Sequence, residues 1–119
     1  MHKAYPSDSP PLLHNQWLKE VNDFIDEHLS DRHLTVADIA AAVFMSERQF
    51  YRKLKKITGK TPNQYLTEIR LQKAKLLLED QVFDTLKEVA LNVGYSRSDY
   101  FSFLFEARFG IKPSAYFSS

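Results

Sequence analysis

The fold is decided by residues 35–54, which read TVADIAAAVFMSERQFYRKL, because residues 85–104 repeat their pattern as TLKEVALNVGYSRSDYFSFL. Six residues recur at an offset of fifty: a threonine, an acidic residue, an alanine, a valine, a serine and a leucine. After one inserted residue the repetition continues in a glycine, a proline and a tyrosine: Gly59, Pro62 and Tyr65 return as Gly110, Pro113 and Tyr116. Each copy has the pattern helix, tight turn, helix, so the sequence predicts a duplicated helix pair. The major groove of duplex DNA is a target that itself repeats once per turn.

The helix starts in both copies share one capping pattern, a hydroxyl residue followed three positions later by a polar side chain that can bond back. The predicted pairs are Thr35 with Asp38, Ser46 with Gln49, Thr85 with Glu88, and Ser96 with Asp99. Between the copies, Thr61-Pro62 opens a long helix that runs to about Glu79. At about 1.5 Å per residue this helix spans about 27 Å, which is enough to hold two modules apart.

Periodicity along the rest of the chain is helical, and strand signals are missing. We therefore predict an all-α fold of about seven helices, in which two helix-turn-helix subdomains are joined by a central linker helix. A first helix from Leu12 carries an apolar stripe and an acidic face, so we expect it to cover the core away from DNA. The predicted boundaries are 1–11 for a linker or disordered tail, 12–60 for the first subdomain, 61–80 for the linker helix and 81–119 for the second subdomain.

Composition fits one small intracellular domain. A chain of 119 residues with 44% hydrophobic content can bury a core without disulfides or metals. It has no cysteine, which excludes a disulfide framework and a thiolate metal site. Nothing in it approaches the roughly 18 apolar residues of a membrane span, and its start lacks the apolar centre of a signal peptide. We expect a cytoplasmic protein with no membrane contact from this segment.

The net charge of +1 hides an uneven distribution. Residues 1–34 carry three basic and six acidic groups, residues 35–60 six basic and two acidic, and residues 61–119 seven of each. The positive surplus therefore lies in the first copy, mostly in its second helix. Local charge, and not the sum, sets the field that a phosphate backbone meets.

That second helix is amphipathic. Phe50, Leu54 and Ile57 follow i, i+4, i+7 spacing and are predicted to face the core. The opposite side carries four cations: Arg48, Arg52, Lys55 and Lys56. A basic face alone is commonly a solvated face, but the second helix of a helix-turn-helix pair is the one that enters the major groove. The sequence therefore favours DNA contact here.

A long ordered set of residues in both copies resembles the DNA-binding domain of the AraC/XylS family of bacterial transcription regulators. It covers about residues 14–117 and implies seven helices, with both recognition helices in successive major-groove segments on one face of the duplex. The first copy contributes Ala40, Met45-Ser46, Arg52, Leu54-Lys55, Gly59, Pro62, Tyr65-Leu66, Arg70-Leu71, Ala74 and Leu77-Leu78. The second contributes Val89-Ala90, Val93-Gly94-Tyr95, Tyr100-Phe101, Phe105, Gly110, Pro113 and Tyr116.

For the first unit, the resemblance implies four groove-facing residues and a set of lysines nearer the backbone. The groove-facing residues are Glu47, Arg48, Tyr51 and Arg52; the lysines are Lys53, Lys55, Lys56 and Lys60. Arg48 and Arg52 are candidates for bidentate hydrogen bonds to guanine O6 and N7, with phosphate contact as the alternative for either. Tyr51 is a candidate for contact with a thymine methyl or a phosphate, or for partial packing, which its repeat partner Phe101 suggests.

For the second unit, the resemblance predicts a basic residue near Phe103 and two lysines near Glu106 and Ala107, and this sequence has none of them. The remaining candidates are Arg97, Ser98, Ser102 and Phe103, where the offset of fifty pairs Arg48 with Ser98 and Arg52 with Ser102. Fewer cations release fewer counterions, so we expect this unit to bind more weakly. Ser102 and Phe103 are open to three interpretations: contact with a thymine methyl, recognition of groove shape, or no contact.

The first turn departs from the second. Phe44 stands where the other copy has Gly94, at a position that often adopts a left-handed conformation. Phenylalanine tolerates that conformation poorly, so the turn is either built differently or strained.

The sequence gives little support for a phosphate-binding loop, a metal site or an enzyme. Thr58-Gly59-Lys60-Thr61 resembles the end of a phosphate-binding loop, but Leu54 stands where the upstream glycine is needed. The four histidines have no cysteine partners and no close helical pair, so we predict no metal site, no cofactor and no enzymatic activity.

The predicted partner is double-stranded DNA, with RNA polymerase as a further candidate and any dimerisation through regions outside this chain. The alternative function is a protein-interaction module that docks on polymerase or a partner regulator. The runs Tyr51–Lys55 and Gly59–Asn63 are similar to the output domains of hybrid two-component sensors, which suggests a longer regulator.

Overall fold

The computed structural model describes residues 11–117, with side chains from residue 15 onward, and every regular element in that range is helical. Six α-helices are followed by a short 3₁₀ helix, so the all-α prediction is confirmed and the seventh helical element is a 3₁₀ helix. Their bounds are α1 Pro11–Glu27, α2 Val36–Ala42, α3 Glu47–Thr58, α4 Pro62–Glu79, α5 Leu86–Asn92 and α6 Ser98–Phe109, then the 3₁₀ helix Pro113–Phe117.

The chain divides into two compact units. The first comprises the described residues 11–27 and 35–62, and the second comprises 28–34 and 63–117. Helix α4, apart from its first residue, therefore clusters with the second unit. The predicted tail, residues 1–11, lies outside the described residues except for Pro11, which begins α1.

The first unit buries one apolar face of each of its three helices. Val21 and Ile25 of α1, Ile39 of α2, and Phe50 and Leu54 of α3 are almost inaccessible to solvent. Each such side chain stabilises the fold by about 1.5–3 kcal/mol relative to an exposed position. The charged residues of α1 all lie on its exposed side, as the sequence predicts: Lys19, Glu20, Asp23, Asp26 and Glu27.

The second unit packs around aromatic rings of α6. Phe101 and Phe105 are fully buried, and their ring centroids lie 5.8 Å apart. Tyr95 lies 5.6 Å from Phe101, and Tyr116 lies 6.1 Å from Phe105 in an edge-on arrangement. These rings fix both ends of α6, which sets the orientation of its outward face.

A buried arginine joins three segments of the second unit. Arg70 of α4 is only 6% exposed, and its guanidinium donates to the carbonyl oxygen of Gly94 at 2.8 Å and to that of Asp31 at 3.1 Å. Its charged group also lies 5.7 Å from the Tyr95 ring centre. Burial lowers the pKa of Arg70, but the residue stays protonated because a guanidinium titrates far above neutral pH. Arg70 therefore secures the turn before α6 to the segment before α2.

Three of the four predicted capping boxes are present. The side chains of Thr35, Ser46 and Thr85 each accept from the backbone three residues on, and Asp38, Gln49 and Glu88 bond back. The fourth prediction, Ser96 with Asp99, is wrong. The residue that caps α6 is Arg97, which makes no side-chain cap bond.

The turn after α2 and the turn after α5 share one geometry. The N–H of Met45 donates to the carbonyl oxygen of Ala40 at 2.9 Å, and the N–H of Tyr95 donates to that of Ala90 at the same distance. These bonds belong to a Schellman-type helix end, whose central residue is left-handed. Phe44 has φ +60° and Gly94 has φ +92°, so the first turn is built like the second and carries the strain.

The inserted residue of the repeat lies in the second turn, and this corrects the predicted register. The backbone offset is fifty as far as Tyr95 and fifty-one from Arg97 onward, since α3 begins at Glu47 and α6 at Ser98, and their left-handed ends are Gly59 and Gly110. Three residues, and not two, separate the C-cap of α5 from the N-cap of α6. The fourth capping box therefore fails, because Ser96 is the extra residue and stands one position too early.

Candidate nucleic-acid interface

Helix α3 presents a basic outward face. Phe50 and Leu54 anchor it to the core, and the side chains on the opposite side are exposed: Arg48, Arg52, Lys55 and Lys56. The Ser46 capping box fixes where the helix begins, and Gly59, left-handed at φ +77°, ends it. The predicted cationic face is therefore displayed on a capped helix of 12 residues that follows a tight turn.

The two arginines of this face are available to a ligand. Within residues 11–117, neither Arg48 nor Arg52 makes a hydrogen bond or an ion pair with another side chain. A guanidinium without a side-chain partner can offer all five of its N–H donors to a ligand. Such a group can bond a guanine edge in two places or a phosphate oxygen in one or two.

Two further candidates on α3, Tyr51 and Glu47, are also exposed. Tyr51 is 47% exposed, and its counterpart in the corrected register is Ser102, so the argument for partial packing from Phe101 is wrong. Glu47 lies exposed in the first turn of α3, where its charge is favourable to the helix dipole.

Lys53 lies off the outward face. It is half-buried, and its ammonium nitrogen lies 4.6 Å from the centre of the Trp17 ring of α1. A cation over an indole face stabilises both partners. Lys53 was predicted to lie with the backbone-facing lysines; its contact with Trp17 was not predictable, because the two residues are far apart in the chain.

Helix α6 presents a different outward face from α3. With the offset of fifty-one, the counterparts of Arg48 and Arg52 are Asp99 and Phe103, and those of Lys55 and Lys56 are Glu106 and Ala107. The predicted equivalence of Arg48 with Ser98 and of Arg52 with Ser102 is wrong, because the inserted residue shifts the register by one position. Both serines are half-buried. Phe103 is 67% exposed and lies on the outward side, and Arg97, which precedes the helix, is exposed as well.

Two arginines near α6 are paired with carboxylates. Arg97 contacts Asp99 through two hydrogen bonds of 3.2 and 2.7 Å, and Arg108 contacts Glu68 through two of 2.8 Å. The hydrogen bond from Arg97 lowers the pKa of Asp99, whose carboxylate, like that of any exposed aspartate, is ionised at neutral pH. These pairs offset the positive charge that the second unit would otherwise offer to a phosphate.

Residues 15–117 hold neither a candidate metal centre nor a membrane-spanning helix. No cluster of three or more His, Asp or Glu side chains among residues 15–117 could hold a metal ion. None of the described helices is long and apolar enough to cross a membrane.

Known proteins match this chain over most of its length. A family model described as a helix-turn-helix domain matches residues 27–119. The probable transcriptional regulator LumQ of Photobacterium leiognathi is 32% identical over 96 residues, which is 81% of this chain and 38% of that protein. Histidine kinase P4 of Formosa agariphila is 28% identical over 104 residues, which is 87% of this chain and 8% of that protein. The chain thus spans well under half the length of these relatives.

Solved structures agree with the fold. A transcriptional regulator from Chromobacterium violaceum, described as an AraC-type DNA-binding domain-containing protein, has a TM-score of 0.77 and 29% identity, covering 87% of this chain and 90% of its own. The DNA-binding domain of the global transcriptional factor AdpA, in complex with a target DNA, has a TM-score of 0.74 and 33% identity, covering 83% of this chain and 87% of its own. The chain belongs to the AraC-type family of helix-turn-helix DNA-binding domains found in transcription regulators.

Proposed function

We propose that this domain binds specific sequences of double-stranded DNA and so regulates transcription, with its two helix-turn-helix units in successive segments of the major groove. The observation that carries the proposal is the outward face of α3, where Arg48 and Arg52 are exposed and have no side-chain partner among residues 11–117. The duplication supports two such insertions, and the DNA-bound AdpA domain supports the class of ligand.

Within the first unit, the roles divide by chemistry. Arg48 and Arg52 bind base edges, and Lys55, Lys56 and Lys60 lie near phosphates. Tyr51, next to Arg52 and exposed, contacts a thymine methyl or a phosphate. Glu47 lies at the edge of the same surface, and Lys53 contributes less because its ammonium group is over Trp17.

The second unit has the same helix-turn-helix geometry, but its outward face carries fewer positive charges. Arg97 and Phe103 are its exposed candidates, whereas Ser98 and Ser102 are half-buried. Because Arg97 is already paired with Asp99, this unit adds less ionic affinity than the first.

The relatives of this chain support a proposal about the regulator to which it belongs. The match to histidine kinase P4 supports a two-component role, with this module as a DNA-binding output and not as the enzyme. RNA polymerase is a further candidate partner, and dimerisation, if any, uses regions outside this chain. Because the proposed target is bacterial DNA, we place the domain in the cytoplasm.

The test begins with selection of bound duplexes from a random library, followed by titration of variants on the selected sequence. We expect Arg52→Ala to weaken binding by about 1–3 kcal/mol, or about 5- to 150-fold, and to relax one base position. Arg52→Lys keeps the charge but loses the bidentate fork, so it should relax the same position while retaining more of the affinity.

The matched control is Lys19→Ala, which removes one positive charge from the exposed side of α1. Its affinity should stay within about twofold of the wild type. Absence of any sequence-selective binding, or equal losses for Arg52→Ala and Lys19→Ala, would contradict the proposed function.

A second candidate function, docking on polymerase or another regulator, is favoured by one observation, the exposed Phe103 on α6. A docking surface of this apolar kind predicts binding that changes little with salt, whereas DNA binding predicts affinity that falls steeply.

A further inference from the structure

The outward face of α6 lacks the chemistry with which α3 is proposed to bind DNA. In place of two arginines and two lysines it carries Asp99, Phe103, Glu106 and Ala107. No donor on this face can form a bidentate pair with guanine, since carboxylates only accept and the other two side chains are apolar. If the second unit contributes to specificity, it must do so by another kind of contact.

The nearby cations do not supply that contact. Arg97 is bonded twice to Asp99, and Arg108 is bonded twice to Glu68 and lies 4.7 Å from the Phe109 ring centre. The Arg97 pair also neutralises the carboxylate at the start of α6, which lowers its repulsion toward a phosphate backbone.

Phe103 is the prominent group of the face. It is 67% exposed, whereas Phe101 and Phe105, two positions to either side, are fully buried. The buried rings hold the helix, so the outward ring is presented from a fixed backbone. In the corrected register it stands at the position of Arg52, the residue we propose as a base-binding group.

We propose that Phe103 recognises thymine, by packing its ring on the 5-methyl group in the major-groove segment bound by the second unit. The inference rests on the proposed function and gives its second unit a base preference. The thymine methyl is the apolar group of the major-groove edge, while the other edges present donors and acceptors. A phenyl ring against those polar groups would leave them without hydrogen bonds, which costs free energy.

Its neighbours suit this contact. Ala107 follows Phe103 by one helical turn on the same face, and its small side chain leaves room beside the ring for a base edge. The second unit is thus expected to discriminate by methyl groups and the first by guanine.

The experiment replaces thymine by deoxyuridine, which removes only the 5-methyl group, one position at a time across the selected duplex. For the wild-type chain we expect binding to fall about fourfold at one or two positions, the loss of one buried carbon. Phe103→Ala should bind more weakly and show no loss at those positions. Phe103→Leu, which keeps an apolar side chain, should retain part of the methyl sensitivity.

The outcomes separate the two proposals. If the wild type binds every deoxyuridine duplex as tightly as the thymine duplex, the thymine inference is overturned. The proposed function still stands in that case, provided that binding depends on Arg52. DNA affinity unchanged by Phe103→Ala also overturns it and favours protein docking on this face. Absence of sequence-selective binding by the wild type overturns the proposed function itself.

Discussion

Gly94 and Phe44 occupy the same place in two copies of one turn, yet their surroundings differ. Phe44 projects into solvent with 96% of its surface exposed, so its side chain costs nothing sterically and the turn bears only backbone strain. Gly94 is buried, and the Arg70 guanidinium bonds its carbonyl oxygen. One copy therefore tolerates a large residue where the other requires glycine.

We predict that Gly94→Ala destabilises the protein far more than Gly59→Ala. A Cβ at Gly94 would overlap the Arg70 guanidinium and the backbone oxygen of Leu29, whereas a Cβ at Gly59 would meet nothing. Both variants carry the cost of a left-handed alanine, about 1–2 kcal/mol, and overlap brings the Gly94 variant to about 2–5 kcal/mol. Urea unfolding measures both, and equal losses would show that the Arg70 contact does not constrain the turn.

Some residue roles could be predicted from the sequence and others could not. The spacing of Phe50, Leu54 and Ile57 was enough to place Arg48 and Arg52 on the outward side of α3. The burial of Arg70 was not predictable from its helix, because its partners are carbonyl oxygens 24 and 39 residues away. Lys53 over Trp17 is a similar case of distant contact.

At the scale of elements, the two recognition helices share a scaffold and differ on their faces. Both have 12 residues, follow a Schellman-type turn and end at a left-handed glycine. Only α3 starts from a capping box and carries the cationic face. Duplication has thus preserved the buried side while the exposed side has diverged.

The position of the inserted residue is the feature of the elements that the sequence predicts wrongly. Ser96 and Leu104 match Ser46 and Leu54 at an offset of fifty, and these identities suggested that the insertion came later. The pattern of burial supports an offset of fifty-one, since Phe101 and Phe105 are buried as Phe50 and Leu54 are. The glycines at 59 and 110, with their shared offset of fifty-one, carried the signal that could have placed it.

The corrected register predicts a contrast between two serines. Ser46→Ala removes an oxygen that accepts from the Gln49 backbone at 3.1 Å, so it should lower the free energy of unfolding by about 1 kcal/mol. Ser96→Ala removes an exposed hydroxyl outside any cap and should change it by less than about 0.5 kcal/mol. Thermal or urea unfolding of both variants checks this, and a larger loss for Ser96→Ala would restore the rejected capping box.

For the whole molecule, net charge is a poor guide to the partner. Residues 35–60 carry six basic and two acidic groups, a local surplus that the total of +1 conceals. Of the seven basic groups of residues 61–119, two are paired with the carboxylates of Asp99 and Glu68. Charge segregation along the chain was visible in the sequence, whereas the pairing of Arg108 with Glu68, 40 residues away, was not.

The central claim is that the first unit supplies most of the ionic binding to DNA. Its most direct test is the slope of log affinity against log salt concentration for the wild type, Lys55→Ala and Arg97→Ala on one selected duplex. Each phosphate contact that is lost should reduce the magnitude of the slope by about 0.9. We predict that reduction for Lys55→Ala and little change for Arg97→Ala, whose guanidinium is already paired with Asp99; equal reductions for both variants, or a wild-type affinity independent of salt, would contradict the account.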